Sequence, residues 1–188
     1  VRFSGSLYTN SSSAGSGLTL YSGDRTGSNY QNVMERGIPG ALPASTTMYT
    51  SGRFNPGFGK QLTAVMFNGF VKAGGFEFFG TYETAKGRAK TEVAKRSASQ
   101  YAVDGIYRFG KEENVYLGVR YNGVTARLNG MTSDVKVNRL AIAGGWFITK
   151  NTLLKMEYVS QQYKNFLVSD FRNGGKFNGL VVEAVVGF

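Results

Sequence analysis

Apolar and polar residues alternate with a period of two along most of this chain. In the last stretch, residues 176–188, Leu180 and Val182 fall on one face while Glu183 falls on the other. Alternation of this kind is typical of a β-strand, and the β-branched valines favour the same assignment. Taken alone, the stretch fits the closing strand of a membrane barrel. It also fits the last strand of a soluble sandwich or of a lipocalin-like barrel.

Seven further segments show similar alternation, so eight strands are predicted. They are residues 1–10, 62–73, 76–84, 99–109, 115–128, 136–149, 153–164 and 176–188. Tight turns are predicted near residues 74–75, 110–114 and 149–152, and long connections elsewhere, the longest being an external loop at about residues 11–60. Outer-membrane barrels alternate short turns with long loops in this way. The sequence therefore predicts an all-β fold, a single antiparallel transmembrane β-barrel domain over residues 1–188.

The two faces of the predicted strands carry different chemistry. One face is apolar and has aromatic residues near the strand ends, as expected of interfacial girdles. The other face carries acids and bases of both signs, which suits a water-filled lumen better than a packed core. This contrast favours a membrane barrel over a soluble one.

Composition excludes several classes of function. No run of eighteen apolar residues is present, so a transmembrane helix is not expected. The chain has no Cys and no His, which removes thiolate ligands, the commonest zinc ligand and the usual general base. We therefore expect a non-enzymatic protein with no cofactor and no metal site.

The net charge is +10, and most of it is assigned to the long loops, Lys136, Lys164 and Lys176 among them. Residues 85–97 form the most basic connection, which is predicted to be an exposed external loop. Its cations are Lys86, Arg88, Lys90, Lys95 and Arg96. Such loops can neutralise lipopolysaccharide phosphates, draw anions to a pore, or simply remain solvated. Nucleic acid is not expected, because the aromatic residues are not interleaved with these cations.

A ladder of charged residues is predicted to line the lumen. It consists of Arg108, Arg120, Arg139 and Lys155, with Asp104 and Glu157 as acidic neighbours. The ladder could pass anions from one cation to the next, or its members could pair with one another and keep the lumen polar.

Several phrases give the chain a family resemblance. They are LYSGDRTGSNY, TSGRFNPGF, QYAVDGIYRFGKEENVYLGVRYN, GWFITKNTLLKMEYVSQQY and NGGKFNGLVVEAVVGF. These segments resemble the C-terminal half of porin-like outer-membrane proteins of the Bacteroidetes. There is a looser likeness to the phosphate-selective porins O and P. The resemblance implies a signal peptide and a barrel of about sixteen strands, half of them before Val1. Because the chain begins at Val1, an eight-stranded barrel is the alternative.

The functional expectation is a Gram-negative outer-membrane channel for passive diffusion of small polar or anionic solutes, with residues 11–60 folding over or into its mouth. The alternative is a non-conducting barrel that serves as a structural or docking component of a larger envelope complex. A soluble lipocalin-like carrier is a third interpretation. Expected partners are outer-membrane lipid and lipopolysaccharide, and either further copies of the chain or a larger complex.

Overall fold

The computed structural model describes residues 1–15, 17–23, 32–35, 48–50 and 53–187, the two short segments 32–35 and 48–50 by their backbone alone. Within these residues the chain is all-β. The strands are β1 Arg2–Asn10, β2 Asn32–Glu35, β3 Met48–Thr50, β4 Gln61–Ala73, β5 Phe76–Arg88, β6 Arg96–Phe109, β7 Val115–Ala126, β8 Val135–Thr149, β9 Thr152–Lys164 and β10 Lys176–Val186. No helix among the described residues is long and apolar enough to cross a bilayer.

Eight of these strands form one antiparallel sheet, in the order β1-β4-β5-β6-β7-β8-β9-β10, and β2 pairs with β3 separately. Because consecutive strands pair, short turns join β4 to β5, β6 to β7 and β8 to β9 at one end. The longer connections lie at the other end, which we call the long-loop end. Among the described strands β1 pairs only with β4 and β10 only with β9, so the sheet is not closed.

All eight predicted strands of the main sheet are confirmed, and the prediction was wrong at the basic connection. The loop is shorter than the predicted residues 85–97 and spans residues 89–95, since β5 continues to Arg88 and β6 begins at Arg96. The reason is that Ala85 and Gly87 alternate with Lys86 and Arg88: Ala85 is buried, and Gly87 lies against the ring of Phe58, in the segment that connects β1 to β4. The pairing of β2 with β3, inside the predicted loop at residues 11–60, was not foreseen.

The sheet has two unlike faces. On β6 the apolar face carries Tyr101, Val103 and Tyr107, all exposed, while the polar face carries Gln100 and Asp104. Neighbouring strands continue both faces in register, because directly paired residues point to the same side. The apolar face therefore stays exposed across the described sheet.

A small core covers the polar face near the long-loop end. Tyr21, Phe54 and Phe58 of the connector between β1 and β4 are buried there, together with Val137 of β8 and Tyr163 of β9. Backbone hydrogen bonds fix this part of the connector, including Leu20 N to Phe58 O at 2.9 Å and Gly23 N to Phe54 O at 3.2 Å. The described ends of the connector thus fold back against the polar face.

Candidate functional site

The predicted lumenal residues lie on the polar face and pair across neighbouring strands. Arg120 Nη1 lies 3.5 Å from Asp104 Oδ2, and Arg139 Nη2 lies 3.3 Å from Glu157 Oε1. Lys155 Nζ contacts Glu183 Oε2 at 2.5 Å on the next strand. The cations of the predicted ladder are therefore each held by a carboxylate.

These pairs surround a cavity of about 370 Å³ on the polar face. Five of the six predicted lining residues border it, Asp104, Arg120, Arg139, Lys155 and Glu157. The formal charges of these five and of Glu183, which also lines the cavity, cancel. The side chains provide hydrogen-bond donors and acceptors with no excess of either charge.

Arg108, the sixth predicted residue, lies apart from the cavity near the short-turn end. Its Nε donates to Glu77 Oε1 at 2.8 Å, and Lys72 Nζ lies 3.4 Å from the same oxygen. The guanidinium carbon lies 5.6 Å from the ring centre of Tyr116 and 5.7 Å from that of Phe147. This stacking on aromatic rings holds the arginine side chain in place.

Arg139 is the most buried of the predicted lining cations, with 4% of its side chain exposed. Its Nη1 donates to Gln161 Oε1 at 3.3 Å, and Gln161 Nε2 donates to the hydroxyl of Tyr163 at 2.7 Å. Tyr163 belongs to the small core. A hydrogen-bonded chain therefore links the cavity to the core beneath the connector.

A second buried polar group joins the connector to the sheet. The Tyr21 hydroxyl donates to Glu83 Oε2 at 2.9 Å, and Gln100 Nε2 donates to the same oxygen at 2.7 Å. Both Glu83 and Gln100 are buried. The alternation along β5 is enough to place Glu83 on the polar face, but nothing in the stretch around residue 21 marks Tyr21 as its partner.

The five predicted cations of the basic connection have different surroundings. Lys86 and Lys95 are exposed. Lys90 Nζ donates to Ala14 O at 2.8 Å, and Arg88 Nε donates to Gln61 Oε1 at 2.7 Å. Only 9% of the Arg96 side chain is exposed, and its guanidinium lies 5.1 Å from the ring centre of Phe58. The prediction of an exposed cation is wrong for Arg96, because the connector covers it.

Arg96 forms an ion pair with Glu92, which Nε and Nη2 contact at 2.5 and 2.8 Å. Hydrogen bonds from Arg96, against a partial opposing effect of burial, hold the pKa of Glu92 below its ordinary value. Nη1 of Arg96 also donates to Pro56 O at 2.8 Å and to Arg127 O at 2.6 Å. One guanidinium thus ties together the connector and two loops.

The apolar face ends along a border near the long-loop end. The last large apolar residue before this border is Tyr101 on β6, Tyr121 on β7, Leu140 on β8, Tyr158 on β9 and Leu180 on β10. The next outward positions are polar or glycine: Ser99, Gly123, Asn138, Ser160 and Asn178. Tyrosines occupy the border on three of these five strands.

This border runs obliquely to the pairing register. The line of paired residues through Tyr101 passes Gly123, Asn138 and Gln162 and reaches Lys176, whereas the border reaches Leu180. Over the four steps from β6 to β10 the border thus moves along the strands by about one residue per strand. At standard strand spacings, this shift means that the strands are tilted by roughly 35° from the direction perpendicular to the border. From Tyr101 to Phe109 the apolar stretch is about 26 Å long, or about 22 Å high after this tilt.

No group of three or more His, Cys, Asp or Glu residues able to hold a metal ion occurs in the described part of the chain. Comparisons of the chain with models of protein families, with curated proteins and with solved structures found no match.

Proposed function

We propose that the eight-stranded sheet is the wall of an outer-membrane β-barrel that acts as a channel for passive diffusion of small polar or anionic solutes. The observation that carries this proposal is the oblique apolar band. Its height of about 22 Å and its tilt of roughly 35° agree with the apolar belt of about 25 Å and the strand tilt of 35–45° in transmembrane barrels. A soluble protein rarely leaves an apolar surface of this extent uncovered.

The polar face supports the lumenal half of the proposal. Its paired charges and the cavity of about 370 Å³ suit a water-filled interior. Further strands, or pairing of β1 with β10, would close the sheet, and closure is needed because an open edge in lipid leaves backbone groups unpaired. A barrel of about sixteen strands would leave an aqueous channel, whereas eight strands would nearly fill their own interior.

The connector supports a second candidate function, that of a non-conducting barrel. Tyr21, Phe54 and Phe58 bury an apolar core against the polar face at the long-loop end, which narrows any passage along β4 to β9. A non-conducting barrel that docks within a larger envelope complex would tolerate, or require, such a cover. The polar cavity below the core favours the channel.

Conductance of the full-length protein in planar bilayers tests the proposal. Stepwise single-channel currents are expected if solutes pass. Native mass, measured in the same detergent extract, gives the strand number: about twice 20.4 kDa fits a wide barrel. Insertion without conductance would favour the docking barrel, and a protein that stays in solution without detergent would contradict both candidates.

A further inference from the structure

Three lysines form a cluster on the same side of the sheet as the apolar face, beyond the border where that face ends near the long-loop end. Lys136 of β8 is directly paired with Lys164 of β9. Lys176 of β10 is paired with Gln162, which places it diagonally next to Lys164. All three side chains are exposed. The prediction that these cations belong to long loops is wrong, since they lie at the loop-side ends of β8, β9 and β10, on the side away from the polar face.

No carboxylate compensates this cluster within the described residues. The acids of the loops before β8 and before β10 have arginine partners: Asp134 Oδ1 accepts from Arg127 at 2.7 Å, and Asp170 Oδ2 from Arg172 at 2.6 Å. The same-face neighbours Thr125, Asn138 and Gln162 are uncharged. Like charges directly opposite each other destabilise a sheet. An anion supplied from outside the sheet would remove this repulsion.

The cluster lies at the depth of lipid headgroups if the apolar band lies in a bilayer. Lys136 and Lys176 lie four residues beyond the border residues Leu140 and Leu180, and Lys164 lies six beyond Tyr158. At the tilt derived above, the Cα atoms lie about 11–16 Å above the border. Lysine side chains reach back toward the interface, which brings the ammonium groups close to a headgroup layer of about 5–8 Å.

We propose that Lys136, Lys164 and Lys176 bind the phosphate groups of a lipopolysaccharide molecule packed against β8, β9 and β10. This assignment rests on the proposed function, in which the long-loop end faces outward. Cross-strand geometry fixes the paired lysines about 5 Å apart at Cβ, with the third about 7–8 Å away. A headgroup with several anionic groups matches this array, whereas a phospholipid offers a single phosphate.

The test uses the full-length protein folded into phosphatidylcholine vesicles, with insertion first verified by protease protection and heat-modified gel mobility. Labelled lipopolysaccharide is then titrated into wild type, a Lys136→Gln/Lys164→Gln variant and a Lys150→Gln control. Lys150 is an exposed lysine in the turn between β8 and β9, at the opposite end of the same strands. Dephosphorylated lipopolysaccharide and phosphatidylglycerol serve as comparison ligands.

The double variant is expected to raise the dissociation constant for lipopolysaccharide at least tenfold, since each basic residue near an anionic surface contributes about fivefold. The dissociation constant of the Lys150→Gln control should stay within about twofold of the wild-type value. Dephosphorylated lipopolysaccharide should bind wild type and the double variant with the same affinity. Equal affinity of wild type and double variant, or equal binding of phosphatidylglycerol per charge, would overturn the assignment. Failure of wild type to insert would overturn the proposed function as well.

Discussion

The guanidinium of Arg96 forms a bidentate ion pair with the carboxylate of Glu92. Nε donates to Oε1 at 2.5 Å and Nη2 donates to Oε2 at 2.8 Å. Its remaining nitrogen donates to the carbonyl oxygens of Pro56 and Arg127. Arg96 is therefore one of the side chains that hold the connector over the polar face, and it also bridges two loops. Such a shared contact predicts strong coupling between connector position and this ion pair.

Replacing Arg96 with alanine should loosen the part of the connector around Pro56 and Phe58. Glu92 would lose its main partner, and loss of one member of a largely buried ion pair costs about 3–5 kcal/mol in the free energy of unfolding. Single-channel conductance should rise because Phe58 loses its cover. Urea unfolding in vesicles and planar-bilayer currents measure the two effects. Lys95→Ala, one residue away and exposed, is the control, and equal behaviour of the two variants would contradict the coupling.

The same ion pair predicts a pH dependence. The pKa of Glu92 is lowered below 4.5, chiefly by the hydrogen bonds from Arg96, so the folded state favours the ionised carboxylate. The resulting stability is complete above pH about 4.5 and is lost as the pH falls through the lowered pKa. Wild type should therefore lose more thermal stability than Glu92→Gln between pH 6 and pH 3. Asp170, whose pKa is lowered by Arg172, is present in both proteins and destabilises both as the pH falls. Equal losses of thermal stability in wild type and Glu92→Gln would therefore show that Glu92 does not contribute.

Leu117 on β7 provides a test of the apolar band. It lies on the apolar face four residues from the border residue Tyr121, with 57% of its surface exposed. Leu117→Arg should destabilise the protein folded in vesicles by about 2–4 kcal/mol, since in the proposed barrel a cation there would lie deep in the hydrocarbon. Ser99→Arg, on the same face of the neighbouring strand β6 but beyond the border, has threonines as its paired residues and should cost about 0–1 kcal/mol. Equal costs, measured by urea unfolding, would place the membrane elsewhere.

Arg139 and Glu157 offer a test of conduction through the polar face. Both line the cavity, whose described charges cancel. Glu157→Gln leaves an excess of positive charge and should shift the reversal potential in a salt gradient toward anion preference, whereas Arg139→Gln should shift it toward cations. Shifts of opposite sign identify the cavity as part of the permeation path. If both variants conduct with unchanged selectivity, ions pass elsewhere.

The main sheet could be predicted because apolar and polar residues alternate within each strand, so that the two faces can be recognised from the local sequence. Period-two alternation in β6 or β8 needs no distant partner to be recognised, and consecutive strands pair. The predicted lumenal residues were placed on one face for the same reason. The pairing of each cation with a particular acid, such as Arg139 with Glu157, depends on register, which the sequence pattern does not specify across a whole sheet.

The connector could not be predicted in this way. Tyr21, Phe54 and Phe58 stand in polar, glycine-rich surroundings without periodicity, and their burial depends on contacts with β5, β6 and β9. The end of β5 was missed for a related reason. Ala85 and Gly87 are small rather than strongly apolar, so their alternation with charged residues gives only a weak strand signal. Gly87 lies against Phe58, a contact that the local pattern does not reveal.

Gly145 of β8 makes room for an aromatic ring next to the cavity. It is paired with Tyr116 of β7, and a Cβ atom at position 145 would overlap the Tyr116 ring. Arg108 rests on that same ring. Gly145→Ala should therefore displace Tyr116 toward the cavity that it lines, lowering the unfolding free energy by about 1–3 kcal/mol and reducing conductance.

Gly144→Ala is the matched control for this substitution. It lies on the opposite face of the same strand, where an added Cβ would meet Leu117 Cδ2 at 3.4 Å, an ordinary contact. Its cost in unfolding free energy should be small. In a Tyr116→Ala background Gly145→Ala should also lose most of its cost, since the ring it would overlap is gone. A cost that persists without the ring would assign the effect to the backbone of β8 rather than to Tyr116.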